Sequence, residues 1–532
     1  PSRSIGEGIE ASVIAWSNNA PEVTTYGLSG KTETFTPLRV IGNDPLRQFL
    51  VDFPNGRVQT LELAYDPHSN QWFNVFGNER RKPGEWGHWT GRGMNWNSMC
   101  ASCHNTRLLR NYDEAGDAYH TTMAEMSVGC EACHGPMKAH DDWQNQFGKS
   151  GREDPTLKKF THAQTLDTCG ACHARRTELT ADFKPGGHFL DSYDLVVVDA
   201  TDRYYADGQV RAEDYEYASF LGSRMHLRGV ACTDCHNPHT MKTLLPGNWL
   251  CLRCHNGSYT NAPVIDPIAH SHHKVFGFTN LVSRAETNGQ AISVAVNTDL
   301  TSYRPREIAE QGGECVNCHM PQTVYMQRHW RHDHGFTIPD PLLTKEFGIP
   351  NACNRCHKDK TIEWALDACE QWYGPKMDRP SRLRAQIIAR AQAGDPGARE
   401  PLVGLLDRED SPYWRAAELG FLGRWSARPE IVSLLVTNLG DTNALVRTSA
   451  AAALEPALTA SYAGVAEALE KSLHDPVRSV RIAAVGSLGD KVAPDSAAGL
   501  EFQRYLDANA DQPTGQAQKA IACSMHNDLV SA

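Results

Sequence analysis

Fourteen of the sixteen cysteines fall in pairs with two residues between them, and a histidine follows each pair at once. The seven motifs are Cys100/Cys103/His104, Cys130/Cys133/His134, Cys169/Cys172/His173, Cys232/Cys235/His236, Cys251/Cys254/His255, Cys315/Cys318/His319 and Cys353/Cys356/His357. Two thiols three positions apart share one helical turn, so each can add to a vinyl group of the same haem. The next residue then presents its imidazole to the iron. Structural zinc also uses Cys-x-x-Cys pairs, but it takes four ligands per ion and needs no histidine fixed after the second cysteine. A thioredoxin-like redox pair would occur once, and short-loop disulfides would leave the seven histidines unexplained. The pattern therefore predicts seven covalently attached c-type haems, each with one axial ligand named. Cys369 and Cys523 lie outside any pair and are expected to be a buried small side chain or a free thiol.

The ligand on the other face of each haem decides between a closed electron-transfer site and one open to a small molecule. Of 23 histidines, sixteen lie outside the motifs, more than seven haems need. Those in ordered, motif-like settings are taken as the distal set: His88, His140, His226, His239, His270, His273 and His334. His68, His120, His162, His188, His272, His329 and His332 are less favoured, and adjacent His226 competes with Met225.

These ligands need elements to hold them. Residues 1–95 carry no motif. Thr32–Arg39, Leu46–Asp52 and Arg57–Ala64 are rich in β-branched and aromatic residues, with a Pro54-Asn55-Gly56 turn, so a small β-rich N-terminal region is expected. Residues 96–375 hold all seven motifs, too little chain for a conventional core around each cofactor. Short helices and Gly/Pro joints should wrap haems packed close together. From 376 to 532 alanine and leucine rise and a repeat emerges. It starts at Asp410, Asp441 and Asp475, with Arg415, Arg447 and Arg481 spaced by 32 and 34 residues. Each Asp is read as a helix cap, and the whole as a HEAT-like α-solenoid, with an irregular helical bundle as the alternative. The expected fold is mainly α.

The composition is that of a soluble globular protein, with 40% hydrophobic and 22% charged residues. A length of 532 residues favours two or three domains. No apolar run is long enough for a membrane span, and a formal charge of -11 argues against nucleic acid. The chain begins at Pro1, and Pro1–Ile14 lacks a signal-peptide pattern, so it is read as processed or truncated. Periplasmic or extracellular placement is expected from covalent haem attachment and from the fate of free thiol pairs outside the cytoplasm.

Longer stretches carry a resemblance. His88 to Thr106, Gly129 to Pro136, Ser223 to His239, Cys318 to Pro321, Ile338 to Pro341 and Pro350 to His357 resemble blocks of periplasmic multihaem c-type cytochromes with C-terminal TPR or HEAT repeats. Cys130-Glu-Ala-Cys-His-Gly135 also resembles the wider group of hydroxylamine oxidoreductase and tetrahaem cytochromes. Such chains commonly open with a further Cys-x-x-Cys-His motif and a nearby His pair, and this one has neither before Cys100. Reductases among them often replace a motif histidine with lysine, and no Cys-x-x-Cys-Lys occurs here.

The resulting expectation is electron transfer through seven mostly bis-His haems, with the repeat region docking a redox partner or a second copy. Two alternatives stand beside it. One is an oxidoreductase acting on a small nitrogen or sulfur compound at one five-coordinate haem, and the other a subunit of a conductive polymer.

Overall fold

The computed structural model describes residues 3–5, 12–17, 20–181, 183–212, 216–273 and 312–526. The remaining parts of the expected regions 1–95, 96–375 and 376–532 lie outside the described residues.

The N-terminal region is two four-stranded antiparallel sheets. The first runs in order β1 (Arg3–Ile5), β2 (Ser12–Ser17), β3 (Ala20–Tyr26) and β4 (Thr32–Phe35), and the second β5 (Arg39–Ile41), β6 (Arg47–Asp52), β7 (Val58–Asp66) and β8 (Gln71–Asn74). Pro54–Gly56 joins β6 to β7, with Asn55 in the left-handed region at φ 60°. That turn pairs Asp52 with Val58 and Val51 with Gln59, which sends Val51, Leu61 and Leu63 inward. They meet Ile14 and Val23 of the first sheet, and Trp89 closes the cluster. The Trp89 indole N–H donates to Tyr26 O at 2.8 Å, so its one polar group is satisfied on burial.

From Trp96 to Tyr373 the chain forms short helices, two-stranded ribbons and loops. Only three of the described helices there exceed eight residues: Lys138–Phe147, His162–His173 and Ile362–Tyr373. The longest-range order comes from the C-terminal helices.

From Pro380 to Met525 helices stack in succession, and Pro412–Leu422, Ala444–Ala453 and Arg478–Leu488 pack side by side. Ala416, Ala417, Ala450, Ala451 and Ala484 are fully buried between them, and their small size permits the close approach. A ladder of ion pairs ties each layer to the next. Arg415 reaches Asp441 at 2.7 Å, Arg447 reaches Asp475 at 2.7 Å, and Arg481 reaches Glu501 at 2.6 Å. The structure corrects one local expectation. Asp410, Asp441 and Asp475 precede the helix starts by two or three residues, and the caps are Ser411, Asn443 and Val477. Asp441 and Asp475 instead accept from the backbone N–H two residues on while holding the arginine of the preceding layer. One carboxylate with two oxygens closes the turn and joins the layers.

This array packs into the motif region rather than standing apart from it. One apolar cluster runs without a break from Leu166 to Val492. At the far end, the turn after Ala497–Asn509 plugs back toward the first motif. Arg110 donates to both oxygens of Asp511 at 2.9 Å and to Glu178 at 2.7 Å, and Gln512 donates to Ser98 at 2.7 Å. Arg110 and Glu178 are largely buried, and Asp511 is 1% exposed. Replacing Arg110 with Met would strand Asp511 without a cation and leave Glu178 to Arg176 alone, so a loss of about 3–5 kcal/mol is expected in chemical denaturation.

Glu418 sits in the same array with its side chain buried and neither carboxylate oxygen hydrogen-bonded among the described residues. Burial, reinforced by the charge of Glu409, pushes its carboxyl up to about 9. Below the ordinary glutamate value both folded and unfolded chains hold this proton. Between that value and about 9 only the folded chain does, so stability falls as pH rises through the window. Glu418→Gln should therefore gain up to about 3 kcal/mol at pH 7, with the gain vanishing near pH 4.5. Thermal unfolding of the two proteins at a series of pH values checks this.

Candidate functional site

Five of the seven motifs lie within or at the ends of a helical turn, as the shared-turn geometry requires. The helices are Ala101–His104, Cys130–His134, His162–His173, Cys315–His319 and Ala352–Cys356. The fourth motif begins on a tighter 3-10 turn, Cys232–Asp234. In the fifth the helix stops short of the second thiol. Its helix, Asn248–Leu252, carries Cys251 but ends before Cys254, which falls in the turn beyond. The turn still closes on the first cysteine, since the N–H groups of Cys254 and His255 donate to Cys251 O at 3.1 and 3.0 Å. A spacing of three residues is thus kept by a turn without a continuing helix, because Gly257 and Pro263 follow too closely for one to extend. Local sequence explains two of the helix starts. Thr161 and Gln164 form a reciprocal capping box before the third motif, and Asn351 caps the seventh through Asn354 N–H.

The motifs lie against one another. Cys103 lies beside Cys172, Cys169 beside Cys232 and Cys251 beside Cys315. Asn248 fastens the fifth motif to the sixth, donating to Gly313 O at 2.9 Å and accepting from Cys315 N at 2.8 Å. Arg253 donates to Asp234 O, which ties the fifth to the fourth, and Arg355 donates to Gln322 O between the seventh and sixth. The third motif thus lies beside the first and the fourth, and the fourth to seventh are joined in turn.

Four motif histidines face a second histidine. His134 and His239 are nearly parallel, with ring centroids 6.0 Å apart at 5°. His319 and His270 stand 6.0 Å apart at 14°, His357 and His273 6.0 Å at 35°, and His236 and His334 6.2 Å at 32°. These separations are too wide for direct stacking contact. Two imidazoles on one metal, each bound through Nε2 at about 2.0 Å, place their centroids about 6 Å apart. The other ring nitrogen is accounted for in several of them. Nδ1 of His319 donates to Thr337 O at 2.8 Å, His334 to His332 O at 2.9 Å and His273 to Ser271 O at 2.5 Å. An acceptor on Nδ1 is the arrangement that orients a metal-bound histidine and leaves Nε2 for the metal. The histidine pairs thus fit an iron between them.

The other three histidines of the expected distal set have no motif histidine ring in contact among the described residues. His88 is buried in the β region, its Nδ1 2.8 Å from Thr90 Oγ1, beside a cavity of about 220 Å³ lined by Trp89, Glu62 and Arg81 and by no motif residue. Burial pushes it down to about 4. His140 pairs through Nδ1 with Asp154 at 2.7 Å, and His226 leans on Phe220 with ring centroids 5.6 Å apart. Correspondingly, His104, His173 and His255 have no second histidine ring in contact among the described residues. Nδ1 of His255 donates to Pro263 O at 2.9 Å. Of the less favoured set, His272 stacks on Trp372 at 4.5 Å and His332 bonds Met320 O.

Comparison with known proteins joins this geometry here. Residues 68–135, which span the first two motifs, match the model of the family described as cytochrome c554 and c-prime. That match, together with the motifs, supports covalently bound haem and electron transfer in general terms. Among solved structures, the outer cell wall cytochrome OcwA aligns with 77% of this chain and 85% of its own, at 16% identity and a TM-score of 0.42. No curated protein matches the chain. Two competing readings of the cysteines find no support in the geometry. All sixteen are free of disulfides, and no three His, Cys, Asp or Glu side chains converge as a metal-ion cage among the described residues. No described helix is long and apolar enough to cross a membrane.

Two residues at these sites carry no signal in the sequence. Cys369 is buried against the seventh motif, and its hydrogen bond to Cys353 raises it while lowering its partner. Glu216 accepts from Nδ1 of His173 at 3.1 Å. Burial opposes its charge, but the His173 hydrogen bond and charge outweigh that and hold the carboxyl near about 2. Neither residue belongs to a motif or to any spacing rule, since each is brought in by the packing of a separate helix.

Proposed function

We propose that this chain carries electrons along seven covalently attached c-type haems, most of them held between two histidines. The supporting observation is the set of four histidine pairs at 6.0–6.2 Å. Bound haem supplies one-electron redox chemistry at an iron whose potential its surroundings set. The chain supplies the rest. Fourteen cysteines would anchor the groups, seven motif histidines would take one axial position, and His239, His270, His273 and His334 would close the opposite face of four sites. Contacts between motifs would bring neighbouring groups within hopping range.

The C-terminal array fits a HEAT-like solenoid in its ladder of Arg–Asp pairs and its stacked helices. Its inner face braces the motif region, and its outer face is the one available to a redox partner or a second copy. The reading places the protein in the periplasm or outside the cell.

The second reading, an oxidoreductase with one open haem, rests on His104, His173 and His255, for which no facing histidine lies among the described residues. One experiment addresses both. The purified holoprotein should show seven haems by intact mass, a ferric spectrum dominated by low-spin signals, and little carbon monoxide binding after reduction. Substantial high-spin signal with carbon monoxide binding would move the assignment to the enzyme. Fewer than seven haems would sink the count.

A further inference from the structure

We infer that Glu216 sets the reduction potential at the third motif. The inference rests on the electron-transfer reading above and concerns one positioning residue within it.

The acceptor on a motif histidine is a backbone carbonyl at the fifth and sixth motifs, Pro263 O for His255 and Thr337 O for His319. At the third motif it is a carboxylate, Glu216 Oε2, 3.1 Å from His173 Nδ1. A carboxylate draws the Nδ1 proton more strongly than an amide oxygen does, and a hydrogen-bonded imidazole becomes a more basic ligand. Greater basicity, together with the nearby negative charge, favours the ferric over the ferrous state and lowers the potential.

The fold holds Glu216 there by a specific fit. Glu216 begins the helix Glu216–Leu221, which packs on the helix His162–His173. The next residue, Tyr217, lays its ring over Gly170, where a Cβ would come within 2.9 Å of the ring carbons. Tyr217 OH donates to Asp167 Oδ1 at 3.0 Å. Glycine between the two cysteines of the motif therefore admits the ring that fixes the carboxylate. Cys103 of the first motif and Cys232 of the fourth lie beside the two cysteines of the third.

The test is a spectroelectrochemical titration of the full-length holoprotein and of Glu216→Gln, with the haem count of each taken by intact mass. One component should move to higher potential in Glu216→Gln by at least tenfold in its reduction equilibrium, 59 mV for a one-electron couple. Glu216→Asp, which keeps the charge, should move it less. The component is assigned by its disappearance when Cys169 and Cys172 are both replaced by Ala. Superimposable titrations with the haem count unchanged would overturn the inference, and so would loss of a haem in both Glu216 variants, which would make the residue a structural prop. If instead the natural protein carries no haem at the third motif, the electron-transfer reading of that motif fails whatever Glu216 does.

Discussion

His239→Ala in the full-length holoprotein is expected to convert one low-spin haem to high spin and to create one carbon monoxide site on reduction, with all haems still attached. Attachment depends on Cys130 and Cys133, which the substitution leaves alone. His239 comes from a turn after the fourth motif, held by His239 N–H donating to Asn237 Oδ1 at 3.0 Å. Its ring lies nearly parallel to that of His134, at 6.0 Å and 5°, with no other histidine ring in contact with His134 among the described residues. Alanine reaches no iron, and no neighbouring imidazole stands ready to replace it. The change should appear as one haem's worth of high-spin signal in the ferric electron paramagnetic resonance spectrum. His474→Ala, at an exposed position of the C-terminal array, serves as the contrast and should leave the spin state unchanged. An unaltered spectrum for His239→Ala would refute the pairing of motif 2 with this residue.

Deleting the chain after Asp378 is expected to abolish the folded, haem-loaded protein rather than to trim a docking arm. The helices from Pro380 onward supply much of the apolar cluster that buries Phe189, Val198, Tyr204 and Phe220 of the motif region. Trp414 donates its indole N–H to Gly222 O at 2.9 Å and lies against Gly208, while the Tyr413 ring fills the space beside Gly222. Fully exposing a large buried side chain costs about 1.5–3 kcal/mol. A few such exposures exceed the whole stability of an ordinary domain, about 5–15 kcal/mol. Loss of Asp511 would also leave Arg110 and Tyr119 with one partner fewer. Soluble truncated protein with the full haem count and an unchanged spectrum would show the cluster to be dispensable. Because the deletion removes structure along with surface, partner docking by the array is better examined with substitutions on its exposed face.

The motif chemistry was legible in the sequence because it is local. Two thiols and an imidazole within five residues need only one turn of backbone, and Thr161 or Asn351 can start that turn unaided. Even Cys254, which the helix of its motif does not reach, is held by the turn that closes on Cys251. The β6–β7 hairpin was legible for the same reason, since Pro54-Asn55-Gly56 dictates it. The opposite side of each site is not local. His239 stands across from His134, and His334 from His236, because helices, ribbons and the C-terminal array pack them there. A short polar context could mark His88, His140 and His226 as ordered, yet order alone does not pair a ring with a motif. The aspartates of the repeat show the same limit. Their spacing announced a helix start, but only the stacked layers made them the acceptors of the preceding arginines. Attachment and the first axial ligand are thus written in sequence neighbours. The second ligand, the contacts between motifs and the carboxylate on His173 were decided by tertiary packing, because each needs groups distant along the chain held within hydrogen-bonding or ligation range.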